Sequence, residues 1–265
     1  MTPGQEQKAA AFRALHEGDP FVIPNPWDAG SAKVLEALGF KALATTSSGF
    51  AFTLGRADGS VDLDEVAAHV RALHDATALP VSVDLENGYG PAPEDAARAI
   101  ARAAEAGAVG GSIEDYDPEG RIYDRNEAVE RVSAAAETAR GLGFDFMLTA
   151  RAENHIRGNP DLEDTIGRLQ AYARAGADVL YAPGLRSAEE IAAVCAAVAK
   201  PVNVLGHSGL SVREIVEAGA QRISVGGGLA WAAVSGLVAA ARELRDSGNF
   251  ASLTAPADLD DWLAR

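Results

Sequence analysis

The chain has one cysteine, Cys195, among 265 residues. An internal disulfide is therefore excluded, and the expected location is the reducing cytoplasm. Long apolar runs are missing too: charges interrupt the alanine-rich stretches before about 20 apolar residues accumulate, so no transmembrane helix is expected. Met1 to Gly18 is polar and helical in pattern, unlike a signal peptide. Positive charge is in short supply, with 23 Lys and Arg against 38 Asp and Glu and a net charge of −15. No basic stripe could neutralise phosphates, which argues against a nucleic-acid partner. There is no Pro- or Ser-rich linker and no shift of composition near the middle, so residues 1–265 are expected to form one domain.

What is present is a repeated punctuation. Glu36-Ala37-Leu38-Gly39, Glu105-Ala106-Gly107, Arg174-Ala175-Gly176 and Glu217-Ala218-Gly219 each end an alanine-rich helical pattern and precede an apolar run. Glycine past a helix end is the usual left-handed stop. The units therefore read helix, stop, strand, which implies βαβ connections and a parallel sheet. Eight strands are predicted: Phe21–Pro24, Ala42–Thr45, Val81–Asp84, Ala108–Glu114, Phe144–Arg151, Val179–Ala182, Val202–Leu205 and Arg222–Val225. A long helix from Leu229 to Asp246 follows. Eight units in this length match a (β/α)8 TIM barrel. A doubly wound sheet is the runner-up, but no Gly-x-Gly-x-x-Gly opens the first βα turn.

Parity along the strands locates a site. Ser82 and Asp84, Ser112 and Glu114, Thr149 and Arg151, and Asn203 and Leu205 share sides, while the opposite parity is mostly apolar. The inward set thus turns polar toward the C-terminal strand ends, where barrels build active sites. Asp84 and Glu86 would point the same way if the third strand stays extended. With Glu114-Asp115 on the next strand, about 4.8 Å away, they could ring a hard cation such as Mg²⁺, which prefers oxygen ligands and keeps several waters. A solvated acidic turn is the plainer alternative for Asp84 and Glu86, and an ion pair for Glu114.

Arg151 suits bidentate capture of a carboxylate or phosphoryl group, or charge balance for Glu114 or Glu86. The polar segment Thr45–Phe50, with Ser47, Ser48 and Gly49, offers backbone N–H groups to an anion, or is an ordinary turn. Asn203, inward on the seventh strand, joins the expected substrate-binding set. His207 could exchange protons, although loop histidines are commonly just exposed. Gly226-Gly227-Gly228 reads as a tight turn with close helix packing in preference to a phosphate site. Cys195, within an alanine-rich helix, reads as a small core residue.

These residues resemble the isocitrate lyase/phosphoenolpyruvate mutase superfamily. The resemblance runs from Asn25-Pro26-Trp27-Asp28-Ala29 through Ser47-Ser48-Gly49, Leu54-Gly55-Arg56-Ala57-Asp58, Asp84 to Gly90, and Ile113-Glu114-Asp115 to Thr149-Ala150-Arg151. It implies a (β/α)8 barrel, usually a tetramer with the last helix (here about 229–265) exchanged between subunits. It also implies an Mg²⁺-dependent enzyme making or breaking a C–C or P–C bond of a small 2-oxo or 2-hydroxy acid, or phosphonate analogue, through an enolate-like centre. By resemblance, Asp84 is the direct metal ligand, and Glu86 (commonly Asp in the family) and Glu114 hold metal-bound waters. Asp58 orients the water shell or gate, Arg151 binds substrate, and Ser47, Ser48 and Gly49 grip its carboxylate.

The gate departs from the family. The lyases carry Lys-Lys-Cys-Gly-His after the fourth strand, whereas Asp115 to Asp124 here contains no cysteine, histidine or lysine. Isocitrate and methylisocitrate cleavage are therefore not expected. His207, Tyr116 and Tyr123 are the candidate proton donors. A phosphate-binding barrel enzyme and a non-catalytic binding barrel remain the rival readings.

Overall fold

The computed structural model describes residues 3–256 and 258–263. Eight parallel strands are β1 (Phe21–Ile23), β2 (Leu43–Ala44), β3 (Val81–Asp84), β4 (Gly110–Glu114), β5 (Met147–Arg151), β6 (Val179–Tyr181), β7 (Val202–Leu205) and β8 (Arg222–Ser224). Their order is β1-β8-β7-β6-β5-β4-β3-β2. The seam between the end strands is bridged by Ala44 N–H, which donates to Pro24 O at 3.1 Å. The result is a (β/α)8 barrel, as the alternation of helical and apolar segments predicts.

The helices are α1 (Gln5–Glu17), α2 (Ala29–Ala37), α3 (Ser47–Thr53), α4 (Leu63–Ala76), α5 (Pro93–Glu105), α6 (Arg125–Arg140), α7 (Leu162–Ala175), α8 (Ala188–Ala197), α9 (Val212–Glu217), α10 (Gly228–Ser247) and α11 (Leu259–Leu263). Their starts are written into the sequence. Asp62, Asp124, Asp161, Ser187 and Ser211 each accept a hydrogen bond from a first-turn N–H, satisfying donors the helix cannot. Their stops are the recurring glycines: Gly39, Gly107, Gly176 and Gly219 have φ of 91°, 106°, 110° and 104°, a region a Cβ disfavours. No described helix is long and apolar enough to cross a membrane.

The main core lies between the sheet and its helices and includes Val83, Ile100, Val132, Leu148, Leu180, Val204 and Ile223. A second apolar cluster closes the N-terminal end, where α1 lays Ala9 and Phe12 against Ile23, Val109, Met147 and Val179. Phe12 fits there because Gly110 has no side chain; a Cβ on it would lie 2.8 Å from Phe12 Cε1. The floor is thus closed and the C-terminal mouth stays open. Beyond β8, α10 leaves the barrel, with Ala230 its one buried residue.

Candidate active site

Register places the charged residues. Glu114 pairs with Arg151, Arg151 with Tyr181, Tyr181 with Asn203 and Asn203 with Arg222. One ring of inward positions therefore crosses half the barrel. Arg151 is its hub: Nη1 reaches Asp84 Oδ1 at 2.9 Å, and Nη2 reaches Glu114 Oε2 at 3.0 Å and Glu153 Oε1 at 2.8 Å. Its guanidinium lies 5.3 Å from the centre of the Tyr181 ring. Arg157 meets Glu153 at 3.3 Å and Glu114 at 4.0 Å, and stacks on Tyr116 at 3.8 Å.

Glu86 reaches the group by a different route from the one parity suggests. β3 ends at Asp84, and Glu86 is left-handed, with φ of 49°. It is held there by its N–H on Asp84 Oδ1 (3.3 Å) and by Glu114 N–H donating to Glu86 O (2.9 Å). A non-glycine residue in this region costs on the order of 1–3 kcal/mol and persists where the surroundings over-determine it. The surroundings here are substantial. Buried Arg131 donates to the carbonyls of Asn87, Pro91 and Ala92 under the Tyr123 ring. Asp115, grouped with Glu114 by sequence, turns the other way, to Arg168 at 3.0 Å and the Tyr172 hydroxyl.

Two cavities meet at Arg151 and Ser47. One, of about 350 Å³, is lined by Asp58, Glu86, Glu114, Tyr116, Arg151 and Arg157. The other, of about 190 Å³, descends into the barrel past Thr45, Ser48, Asp84, Tyr181, Asn203 and Arg222. The acidic one carries the electrostatic strain. Burial first, then Asp84 and Asp58, push the Glu86 carboxyl up to about 7. Burial likewise pushes Glu114 well above the carboxylate range, against the pull of Arg151. Crowded hard oxygens in excess of their cations fit a small divalent ion. Among the described residues no three His, Cys, Asp or Glu side chains stand at cage spacing. A cation that keeps most of its waters needs only one or two direct carboxylates, so the donor set fits Mg²⁺.

The remaining expected residues divide. Asp58 and Tyr116 line the acidic cavity, Ser48 and Asn203 the deeper one, and Ser47 both. Ser47 to Thr53 is helix α3, where a polar turn was expected. Gly49 is buried behind it, with its N–H directed at Thr46 Oγ1 at 3.4 Å. His207 lines neither cavity; its Nδ1 accepts from Gly209 N–H at 3.0 Å. Tyr123 is buried in the core, its hydroxyl bonded by Asn87 Nδ2. Gly227 packs against Ser48 and Trp231, the close approach expected of the glycine run. Cys195 is half-buried, and burial pushes its thiol up to about 11, which makes it a poor nucleophile.

Glu153, Arg157, Tyr181 and Arg222 were not anticipated. Glu153 shares the parity of Arg151 two residues on, a signal available in principle. Arg222 opens an apolar strand in register with inward Asn203.

The profile of the phosphoenolpyruvate phosphomutase family matches residues 12–245. A provisionally named lyase/mutase from Burkholderia cenocepacia J2315 is 51 % identical, with a TM-score of 0.95 over 98 % of this chain and 97 % of its own. Oxaloacetate acetylhydrolase, solved with its product oxalate, is 29 % identical, with a TM-score of 0.89 over 98 % of this chain and 95 % of that one. An oxaloacetate decarboxylase of Rhodopseudomonas palustris BisB5 is 29 % identical, covering 97 % of this chain and 92 % of its own. The chain belongs to the isocitrate lyase/phosphoenolpyruvate mutase superfamily, and it is an enzyme of that carbon–carbon lyase or phosphonomutase type.

Proposed function

We propose that the chain is an Mg²⁺-dependent lyase of a small 2-oxo or 2-hydroxy carboxylic acid, or a phosphonate analogue, working through an enolate-like intermediate. The observation that carries this reading is the Arg151 hub, which joins an acidic cavity to a small polar one at the barrel mouth. Asp84, Glu86 and Glu114 would hold the metal, which supplies Lewis-acid stabilisation of negative charge beside the substrate carboxylate.

The chain's own groups do the rest. Arg151 offers fixed positive charge where enolate charge develops, without reorganising. Ser47, Ser48 and Asn203 bind the substrate in a cavity of about 190 Å³, small beside the roughly 300–1,000 Å³ typical of drug-sized ligands. Of the three candidate proton carriers, Tyr116 alone lines the acidic cavity, and the Arg157 guanidinium stacks on its ring. Asp58 lines the same cavity, where it would orient water. Residues 115–124 hold no cysteine, so isocitrate and methylisocitrate are not the proposed substrates. The relatives named for oxaloacetate make C4 2-oxo acids the first to try.

The same reading includes a cytoplasmic homo-oligomer in which α10 and the tail pack on a neighbour. Trp231, Leu237, Val238 and Leu244 are exposed along that helix, an apolar face that a second subunit would cover. The deciding experiment is a panel of 2-oxo, 2-hydroxy and phosphono acids assayed with and without Mg²⁺. Metal-dependent C–C or P–C cleavage of one member supports the reading; turnover that ignores chelation removes it.

A further inference from the structure

Arg222 stands apart from every other arginine of the barrel interior. It is 5 % exposed and lines the deeper cavity. Its Nε donates to Asn203 Oδ1 at 2.8 Å, its Nη2 donates to Thr149 Oγ1 at 3.0 Å, and its Nη1 faces His16 Nε2 at 3.2 Å. All three partners are neutral. His16 Nδ1–H donates to Phe12 O at 2.8 Å, which leaves Nε2 as an acceptor. Arg151 meets three carboxylates. Among the described residues none comes within ion-pair distance of Arg222.

A buried cation with no counter-ion weighs against folding, and it leaves the cavity floor with net positive charge. Arg151 stands apart from that floor, with Asp84, Glu114 and Glu153 paired to its guanidinium at the mouth. The Arg222 fork also settles the Asn203 amide. With Oδ1 taken by Arg222 and one amide hydrogen given to Ser224 Oγ at 3.0 Å, the second hydrogen is left for a guest.

We propose that Arg222 is the positioning residue for the anionic end of the substrate: it supplies the uncompensated charge at the cavity floor and orients Asn203 toward a carboxylate. The inference deepens the proposed function and rests on it. The ligand class is a small carboxylate whose anionic head enters the barrel first. Phosphonate heads bind less well, because the floor offers one unpaired guanidinium and one amide.

The test uses the full-length protein and oxalate as probe. Oxalate and Mg²⁺ binding are measured separately by calorimetry for the wild type, Arg222→Gln and Arg222→Lys. Gln keeps a donor for Asn203 and removes the charge; Lys keeps the charge. Arg222→Gln should weaken oxalate about tenfold or more, raise KM for any turned-over acid and leave kcat within about threefold, the pattern of lost ground-state and transition-state binding alike. Mg²⁺ affinity should be unchanged, and Arg222→Lys should recover most of the oxalate affinity.

Oxalate binding at wild-type strength in Arg222→Gln overturns the inference while leaving the proposed function standing. Parallel loss of Mg²⁺ binding marks a merely structural role and also overturns it. If the Gln variant does not fold, the Lys variant decides: near-wild-type oxalate binding supports the proposal, and a tenfold loss with Mg²⁺ binding intact refutes it. A wild type that binds no oxalate even with Mg²⁺ removes the proposed function and this inference together.

Discussion

At the floor of the barrel, Phe12 sits over Gly110 and against Met147 and Val179. Toward the mouth the same strands present Ser112 one layer higher and Glu114 and Arg151 two layers higher. The floor is a plug, filled by a helix laid across it. The mouth is a cluster of five carboxylates, Asp58, Asp84, Glu86, Glu114 and Glu153, and two guanidiniums, held by turns that bend out of the preferred backbone regions. One end shows how the chain stays folded and the other what it sacrifices in stability to keep a polar cavity open.

That contrast predicts opposite phenotypes at the two ends. The largest effect is expected at the mouth. Asp84→Ala should lower kcat/KM on the order of 10³-fold or more, with circular dichroism and melting temperature at or above wild type because one crowded acid is gone. A variant that turned over normally would contradict the metal role. Next is the floor. Phe12→Ala should cost about 3 kcal/mol or more in denaturant unfolding, with oxalate affinity unchanged. A loss of binding in the folded variant would mean that the two ends are coupled.

A smaller change is expected for Tyr116→Phe, about 10²-fold in kcat with little change in KM, read from steady-state kinetics. An unchanged kcat would take the proton-carrier role from that hydroxyl.

The smallest effect is a pH slope. Burial, then Arg222, pull His16 down from 6.5 to about 3 at the floor. Burial pulls His69, stacked on Phe50 near the mouth, down to about 4. Both rings are neutral in the fold, so the unfolded chain binds more protons between those values and 6.5. Their contribution to stability is whole above about 6.5 and is lost as pH falls through that window toward 3. The slope is up to about 1.4 kcal/mol per pH unit per ring. His16→Gln should flatten one ring's share in urea melts between pH 4 and 6.5, and a slope identical to wild type would show that His16 does not titrate as described.

The fold was legible because its determinants are local. Four left-handed glycines and a series of Asp and Ser caps mark where helices stop and start, and β3 and β7 match their predicted bounds. The other strands run one to three residues shorter, since apolar residues continue beyond the ladder. Asp84, Glu114, Arg151 and Asn203 were legible because strand alternation fixes their side.

Residues beyond a strand end were harder, because alternation stops there. Glu86 reaches the acidic group through a left-handed turn, which a reading of extended chain misses. Arg157 comes from the loop after β5, and Arg222 hides at the start of a strand whose neighbours look like ordinary core. His207 follows β7 by two residues yet folds back on Gly209.

Gly227 links features that are distant in sequence. A single methyl there would collide with Trp231 Nε1 at 2.5 Å and with Ser48 Oγ at 2.8 Å, while the Trp231 ring meets Phe52 edge-on at the far end of α3. The root of the departing helix and the lip of the cavity are therefore wedged together with no slack between them. Bracing or prying at that root is transmitted mechanically to the hydroxyls that greet an incoming acid.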